Sequence, residues 1–220
     1  EYEHLMHVYV GEVQQGLERT GLLGREIIYW FDEPWVLQYP FVVKYHEMIK
    51  RHAPRIKTFL TEHLFAKEYN DANDIACMTW NYTDQDKIDE MNGDVREPGS
   101  YICCEPRAPY ICERIDAEAI NFRVWLWGSW AKNLHGVLLW HVNDWTFNVP
   151  TPENKHRDER GNPLTDFTYC LFNGWNSGYG DGVLIYPNNP DLTDKETEYL
   201  REPVPSIRLE LRSDGIEDYE

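Results

Sequence analysis

A chain of 220 residues with 42% hydrophobic content can bury one sizeable core and falls short of what two ordinary domains need. Its formal net charge of −17, with no Lys/Arg cluster set against it, would repel a phosphate backbone and sets nucleic acid aside as a partner. No apolar run approaches the roughly 18 residues of a membrane span, and the first residues carry neither a basic flank nor a signal-type apolar core.

We expect residues 1–220 to form one domain or a large piece of one, because the chain opens at Glu1 without an initiator methionine and closes at Glu220 inside a helical pattern. Residues 8–23 read as a helix, with Val10, Val13 and Leu17 on one face and Gly21 and Gly24 to end it. A short β-branched and aromatic run, 26–31, lies between Gly24 and Pro34 and reads as a buried strand. A helical face follows Pro40 (Phe41, Val42, Tyr45, Met48, Ile49) and stops at Pro54. Further strands are expected at 56–61, 74–80, 100–104 and 136–143. A short helix at 84–91 is closed by Asn92-Gly93, and a longer one is expected at 116–134. A charged, Pro-rich loop at 150–163, glycine-rich turns at 174–182 and an apolar run at 182–187 complete the pattern. In 178–182 a strand, not a helix N-terminus, follows the glycines, so the geometry of a phosphate cradle is absent.

Alternation of strand and helix predicts an α/β fold on a parallel sheet, either most of a (β/α)8 barrel or one flank of an open doubly wound sheet. Polar and aromatic residues gather just after the strands: Asp32-Glu33, Glu62-His63, Trp80-Asn81-Tyr82, Glu105 and Asn143-Asp144-Trp145. A barrel collects such strand ends into one site, which favours it.

The five cysteines lack the paired spacing of a zinc site and read as buried thiols. The eight histidines are scattered without a ligand motif, so neither a metal nor a cofactor is expected.

Hydrolysis of a glycosidic bond needs one acid to protonate the leaving oxygen and a second group to stabilise positive charge at the anomeric carbon. Asp32 and Glu33 are adjacent, and neighbours on an extended strand point to opposite faces, so both reach one pocket only where the strand breaks at Pro34. A strand-end Asp-Glu-Pro also serves as a plain solvated loop entry, and the tripeptide alone does not choose between the two.

Trp-Phe-Asp-Glu-Pro at 30–34, Arg123-Val-Trp-Leu-Trp127 and Gly136-Val-Leu-Leu-Trp140 occur with a tail containing Gly180-Asp-Gly-Val-Leu-Ile-Tyr-Pro187, Pro203-Val-Pro-Ser-Ile-Arg-Leu-Glu-Leu211 and Asp214-Gly-Ile-Glu-Asp-Tyr219. Together these resemble the catalytic domain of glycoside hydrolase family 123 over essentially the whole chain. Asn188 stands where that family's pattern suggests Gly, and Arg212-Ser213 where it suggests Leu-Arg. The resemblance implies a retaining, exo-acting β-N-acetylgalactosaminidase in which the sugar's own 2-acetamido oxygen attacks the anomeric carbon. It implies that Asp32 orients the acetamido group and that Glu33 is general acid and then base. It also implies that this chain supplies strands four to eight of the barrel, and that it serves bacterial glycan breakdown outside the cytoplasm, in the periplasm or the extracellular space.

Candidate sugar contacts follow from chemistry: aromatic rings stack on the apolar faces of sugars, and amides or carboxylates bind hydroxyls. Trp80, Tyr82, Trp140 and Trp145 are candidates by position, core packing being the expectation for Trp80 and Trp140. Glu105 and Asn143 are polar candidates. Two other readings remain open here: a two-carboxylate retaining glycosidase using Glu33 and Glu105, and a non-catalytic carbohydrate-binding barrel. A glycan or glycoconjugate is the expected partner, and the oligomeric state is left open.

Overall fold

The computed structural model describes residues 2–62, 73–93, 96–103, 105–143, 180–186 and 204–218. The expected loop at 150–163 and Trp145 lie outside them. The chain clusters into two compact units, Glu1–Tyr101 with Lys132–Val137, and Ile102–Ala131 with Leu138–Glu220.

In the first unit helix α1 (Tyr2–Thr20) leads to strand β1 (Ile27–Asp32), helix α2 (Tyr39–His52), strands β2 (Lys57–Glu62) and β3 (Ile75–Thr79), helix α3 (Gln85–Gly93) and strand β4 (Glu97–Tyr101). A short strand β5 (Gly136–Leu138) completes a five-stranded sheet in the order β1-β2-β3-β4-β5. The pairs β1–β2, β2–β3 and β3–β4 are parallel.

All three helices pack on one face of this sheet. Ile28 joins Val10 of α1 with Ile49 and Ala53 of α2. Phe31 and Leu60 meet Val42 of α2, and Ala76 and Met78 meet Ile88 and Met91 of α3. A doubly wound sheet carries helices on both faces, whereas a barrel wall carries them on one. The unit is thus a mixed α/β layer of the barrel-wall kind, and its other face is left for chemistry.

β4 starts three residues before the strand expected at 100–104. Pro98-Gly99 reads locally as a turn, yet Pro98 stands in register with Ala76 and its carbonyl accepts from His135 N–H at 2.8 Å. A Cβ at position 99 would sit 3.2 Å from the Gly136 carbonyl oxygen and 3.4 Å from Cys77 Sγ. Glycine therefore suits this close approach, since any Cβ would make a tight contact there.

His46 of α2 is 1% exposed, lies 5.4 Å from the Phe31 ring, and its Nε2 has no hydrogen-bond partner among the described residues. Burial pushes its pKa down to about 4, with Asp74 opposing and Lys50 assisting. Between pH 4 and the ordinary histidine value of 6.5 the unfolded chain binds the proton and the folded one does not, so stability falls as pH drops through that window. A shift of that size is worth about 3 kcal/mol at most. Urea denaturation at pH 7 and pH 4.5 should show a smaller acid loss for His46→Leu than for the wild type. Equal losses would exclude His46 as the source.

The second unit is built around helix α4 (Asn121–Ala131) and helix α5 (Ile207–Glu217), with a small antiparallel pair, β6 (Ile185–Tyr186) and β7 (Val204–Pro205). α4 is shorter than the expected 116–134, because Asp116 spends its carboxylate on Arg114 (3.0 and 3.2 Å) and residues 114–121 form separate turns. α5 begins at Ser206, whose hydroxyl accepts from Leu209 N–H at 3.3 Å, a cap worth about 1 kcal/mol. The Asp-Gly-Ile-Glu-Asp run has a packing role. A Cβ on Gly215 would meet Leu126 Cδ1 at 2.8 Å, so glycine lets α5 lie against α4. Asp218 accepts a forked pair from Arg123 (2.7 and 2.6 Å) and a bond from Trp127 Nε1 (2.6 Å).

Candidate active site

A register irregularity between Tyr29 and Phe31 sets the geometry. Residues three apart on a regular strand face opposite sides, but one extra residue in β1 restores the parity of Tyr29 and Asp32. Tyr29 then lies opposite Phe59, and Asp32 opposite Thr61. Carried across the sheet, the same face holds Cys77, Thr79, Gly99 and Tyr101, the face opposite the helices. Glu62, expected among the strand-end polar residues of the site, stands in register with Met78 on the helix side and is 3% exposed.

On this face two hydroxyls converge on one carboxylate oxygen. Tyr29 Oη donates to Asp32 Oδ1 at 2.6 Å and Thr61 Oγ1 donates to the same atom at 2.7 Å. Asp32 Oδ2 takes part in neither bond. Burial, reinforced by the bond to Asp32, pushes the Tyr29 phenol far above its ordinary value, so it stays a donor across the working pH range. Burial likewise pushes the Cys77 thiol up, which keeps it from acting as a nucleophile.

Glu33 adopts a left-handed backbone with φ of 42°. For a residue other than glycine this conformation costs on the order of 1–3 kcal/mol and is found at functional sites. Its backbone N–H donates to the Thr61 carbonyl and hydroxyl oxygens, both at 3.2 Å, which pins the strained residue to β2. The turn breaks strand alternation immediately after Asp32, and the Glu33 carboxylate accepts a bond from Tyr101 Oη at the end of β4. A flat sheet would put β1 and β4 about 14 Å apart, three strand spacings. A direct bond over that span requires both side chains to lean across the helix-free face, as a concave sheet allows. Two adjacent carboxyls are thus held by separate hydroxyl sets at the C-terminal ends of the strands, where α/β sheets bind ligands.

The other candidates are distributed as follows. Trp80 and Tyr82 form a 3-10 turn directly after β3 in the same unit; Lys132 Nζ stands 5.9 Å from the Trp80 ring centre, and Tyr82 is exposed. Glu105, Trp140 and Asn143 belong to the second unit. Glu105 pairs with Arg107 at 3.1 Å, and Asn143 forms an antiparallel bridge with Val183. Trp140 corrects the expectation of core packing: β5 ends at Leu138, the Trp140 ring is 41% exposed, and its Nε1 donates to Asp181 Oδ1 at 2.9 Å. Sequence reasoning missed Tyr29, Thr61 and Tyr101. Their signal was present only as hydroxyl-bearing residues within or at the ends of strands.

Comparison with known proteins gives an independent line. Residues 1–220 match the family described as glycoside hydrolase 123, catalytic domain. No curated protein matches. A solved family 123 glycoside hydrolase from Clostridium perfringens, analysed for glycolipid glycan hydrolysis, is similar with a TM-score of 0.63 at 18% identity. That match covers 99% of this chain and 34% of the other, so this chain spans about a third of its length; likeness at that identity shows a shared fold.

Proposed function

This chain belongs to the glycoside hydrolase 123 catalytic-domain family, and from that premise we propose that it carries the acid–base pair of a retaining glycosidase acting on glycans with a β-linked N-acetylhexosamine, of the N-acetylgalactosamine type, at the non-reducing end. β1 to β5 are then strands four to eight of a β/α barrel. The observation that carries the reading is the separate anchoring of the two neighbouring carboxyls, Asp32 by Tyr29 and Thr61, Glu33 by Tyr101.

The two anchors suit different roles. With Oδ1 saturated by two hydroxyls, Asp32 presents Oδ2 to the substrate's acetamido N–H. It thereby turns the acetamido oxygen toward the anomeric carbon and offsets the positive charge that grows on the ring formed. Tyr101 holds the Glu33 carboxyl in place, and in this reading that carboxyl passes its proton to the leaving oxygen as the C–O bond breaks. The acetamido oxygen forms the new bond to the anomeric carbon, giving an oxazolinium-type intermediate. Glu33, now ionised, takes a proton from water; the hydroxide attacks the same carbon and reopens the ring with net retention. Trp80 and Tyr82 are the aromatic candidates in the same unit for the sugar face. On chemistry alone the exposed ring of Trp140 suits another, and Asn143 and Glu105 suit hydroxyls.

The decisive comparison is an aryl β-N-acetylgalactosaminide against the aryl β-galactoside, which has a 2-hydroxyl and no internal nucleophile. Loss of the intramolecular attack predicts turnover lower by on the order of 10³-fold or more for the galactoside. Comparable rates on the two substrates would reject substrate assistance and return a two-carboxylate mechanism with Glu105 as nucleophile. Turnover of neither would favour a binding role.

A further inference from the structure

We infer that Trp35 is the platform for the leaving-group sugar, a specificity determinant on the aglycone side of the proposed pair; the inference rests on Glu33 being the general acid.

The residues after Glu33-Pro34 expose more apolar surface than a loop needs. Trp35 is 80% exposed, Val36 71% and Leu37 91%, immediately beside the acid in the chain. Exposed to this degree, these side chains contribute nothing to the core of their own unit. The backbone beneath them is nonetheless fixed. Trp35 N–H donates to Gln38 Oε1 at 2.8 Å, and Gln38 N–H donates back to the Trp35 carbonyl at 2.7 Å. Pro34 sets the entry, Trp35 is extended at φ −76° and ψ 154°, and residues Val36–Gln38 form a 3-10 turn that runs straight into α2. α2 is in turn anchored through Val42 and Ile49, each at most 1% exposed. A large aromatic ring carried on a pinned turn requires little backbone ordering on binding.

Position supplies the occupant. A general acid must touch the glycosidic oxygen, so the group leaving with that oxygen starts within a few ångströms of Glu33. Trp35 lies two residues on, at most about 7 Å away along the chain. Asp32, which faces the acetamido group in this reading, is tied toward Tyr29 and Thr61 on the strand side. By chain position Trp35 belongs to the loop that follows the acid, and this reading gives that side of the pair to the leaving group. An indole face matches the axial C–H face of a pyranose, and a net charge of −17 disfavours sulfated, phosphorylated or anionic lipid aglycones. The fitting occupant is a neutral sugar residue linked through its hydroxyl to the N-acetylhexosamine.

The test uses the full-length protein, as wild type, Trp35→Ala and Trp35→Phe, on two soluble substrates: a neutral disaccharide with β-linked N-acetylgalactosamine at its non-reducing end, and β-N-acetylgalactosaminyl fluoride, which has no leaving-group ring. The ratio of kcat/KM for disaccharide to that for fluoride should fall about 10-fold in Trp35→Ala and recover largely in Trp35→Phe. An unchanged ratio overturns the platform, whether activity is kept on both substrates or lost equally on both as a merely structural role would produce. A loss seen only on glycolipid in neutral vesicles, with the disaccharide ratio unmoved, also overturns it and assigns the patch to the lipid. If wild type cleaves the disaccharide and the fluoride, the hydrolase reading stands whatever the variants do; if it cleaves neither, that reading and the platform fall together.

Discussion

Glu33→Gln should lower kcat on an aryl β-N-acetylgalactosaminide by about 10²–10⁴-fold, the usual contribution of a positioned acid–base group. Glutamine has nearly the shape of glutamate and keeps an oxygen to accept the Tyr101 bond, so the loop geometry is preserved. What disappears is the proton for the leaving oxygen and the base for the attacking water. Asp32→Asn is expected to cost about 10²–10³-fold, the scale of one electrostatic group lost at a centre of developing charge. Its amide oxygen can still accept from Tyr29 and Thr61, which leaves the amide N–H₂ facing the acetamido N–H, donor against donor. Neither substitution disturbs a packed core, so melting temperatures should move little. Retention of more than a tenth of wild-type kcat in either variant, measured on the aryl substrate, would remove that residue from its proposed role.

Arg208→Ala should destabilise the second unit by about 3–5 kcal/mol, the cost typical of emptying a buried charged anchor. Arg208 is 2% exposed. Its Nη1 donates to the carbonyl oxygens of Glu113 (2.6 Å) and Gly180 (2.9 Å), and its Nη2 donates to that of Val183. One side chain thus ties three carbonyls on two backbone segments, Glu113 and the 180–183 turn, to α5. Gly180 has φ of 82°, and a Cβ there would stand 3.1 Å from Nη2, so this glycine accommodates the guanidinium. Truncation leaves three buried carbonyls short of a donor, each costing about 1–3 kcal/mol before relaxation. The expected readout is a drop of about 10 °C or more in the unfolding midpoint. Arg208→Lys should recover only part, since an ammonium lacks the planar fork. A midpoint within a degree or two of wild type for Arg208→Ala would mean that the three carbonyls find other donors.

The last residues of the glycine-rich stretch, Gly180 to Gly182, have their physical account here. Gly182 N–H donates to Glu113 Oε1 at 3.1 Å and the Gly180 carbonyl accepts from Arg208, so these backbone groups are spent on internal anchors. Burial, then the nearby Asp181 carboxylate, pushes the Glu113 carboxyl well above its ordinary range, with the Gly182 bond and Arg208 opposing. The sequence tail that most strongly resembles the family is therefore a packing signature: Arg208 fastens the turn, Gly215 admits α4, and Asp218 clamps Arg123 and Trp127.

Local pattern by itself determined the first unit's element order. The β-branched run before Pro34, the helical face after Pro40 and the stops at Gly21 and Pro54 each act over a few residues, and β1, α2, β2, β3 and α3 fall within a residue or two of their expected bounds. It also placed Asp32 and Glu33 at a strand end. Non-local packing decided the rest. β4 runs through Pro98-Gly99, where a Cβ at position 99 would crowd the Gly136 carbonyl at 3.2 Å and Cys77 at 3.4 Å. β5 stops at Leu138, short of the expected 143, and the Val142 carbonyl beyond it accepts from Leu184 and Ile185 N–H at 2.8 Å each. Most of all, the partners of the two carboxyls were invisible in one dimension. Tyr29 reaches Asp32 through a one-residue register shift, and Tyr101 reaches Glu33 from a strand 68 residues away in sequence. Residue type and spacing specify which elements form, since those forces are short in range along the chain; strand register and the backbone strain at Glu33 specify which hydroxyl meets which carboxylate, and they exist only once the strands are side by side.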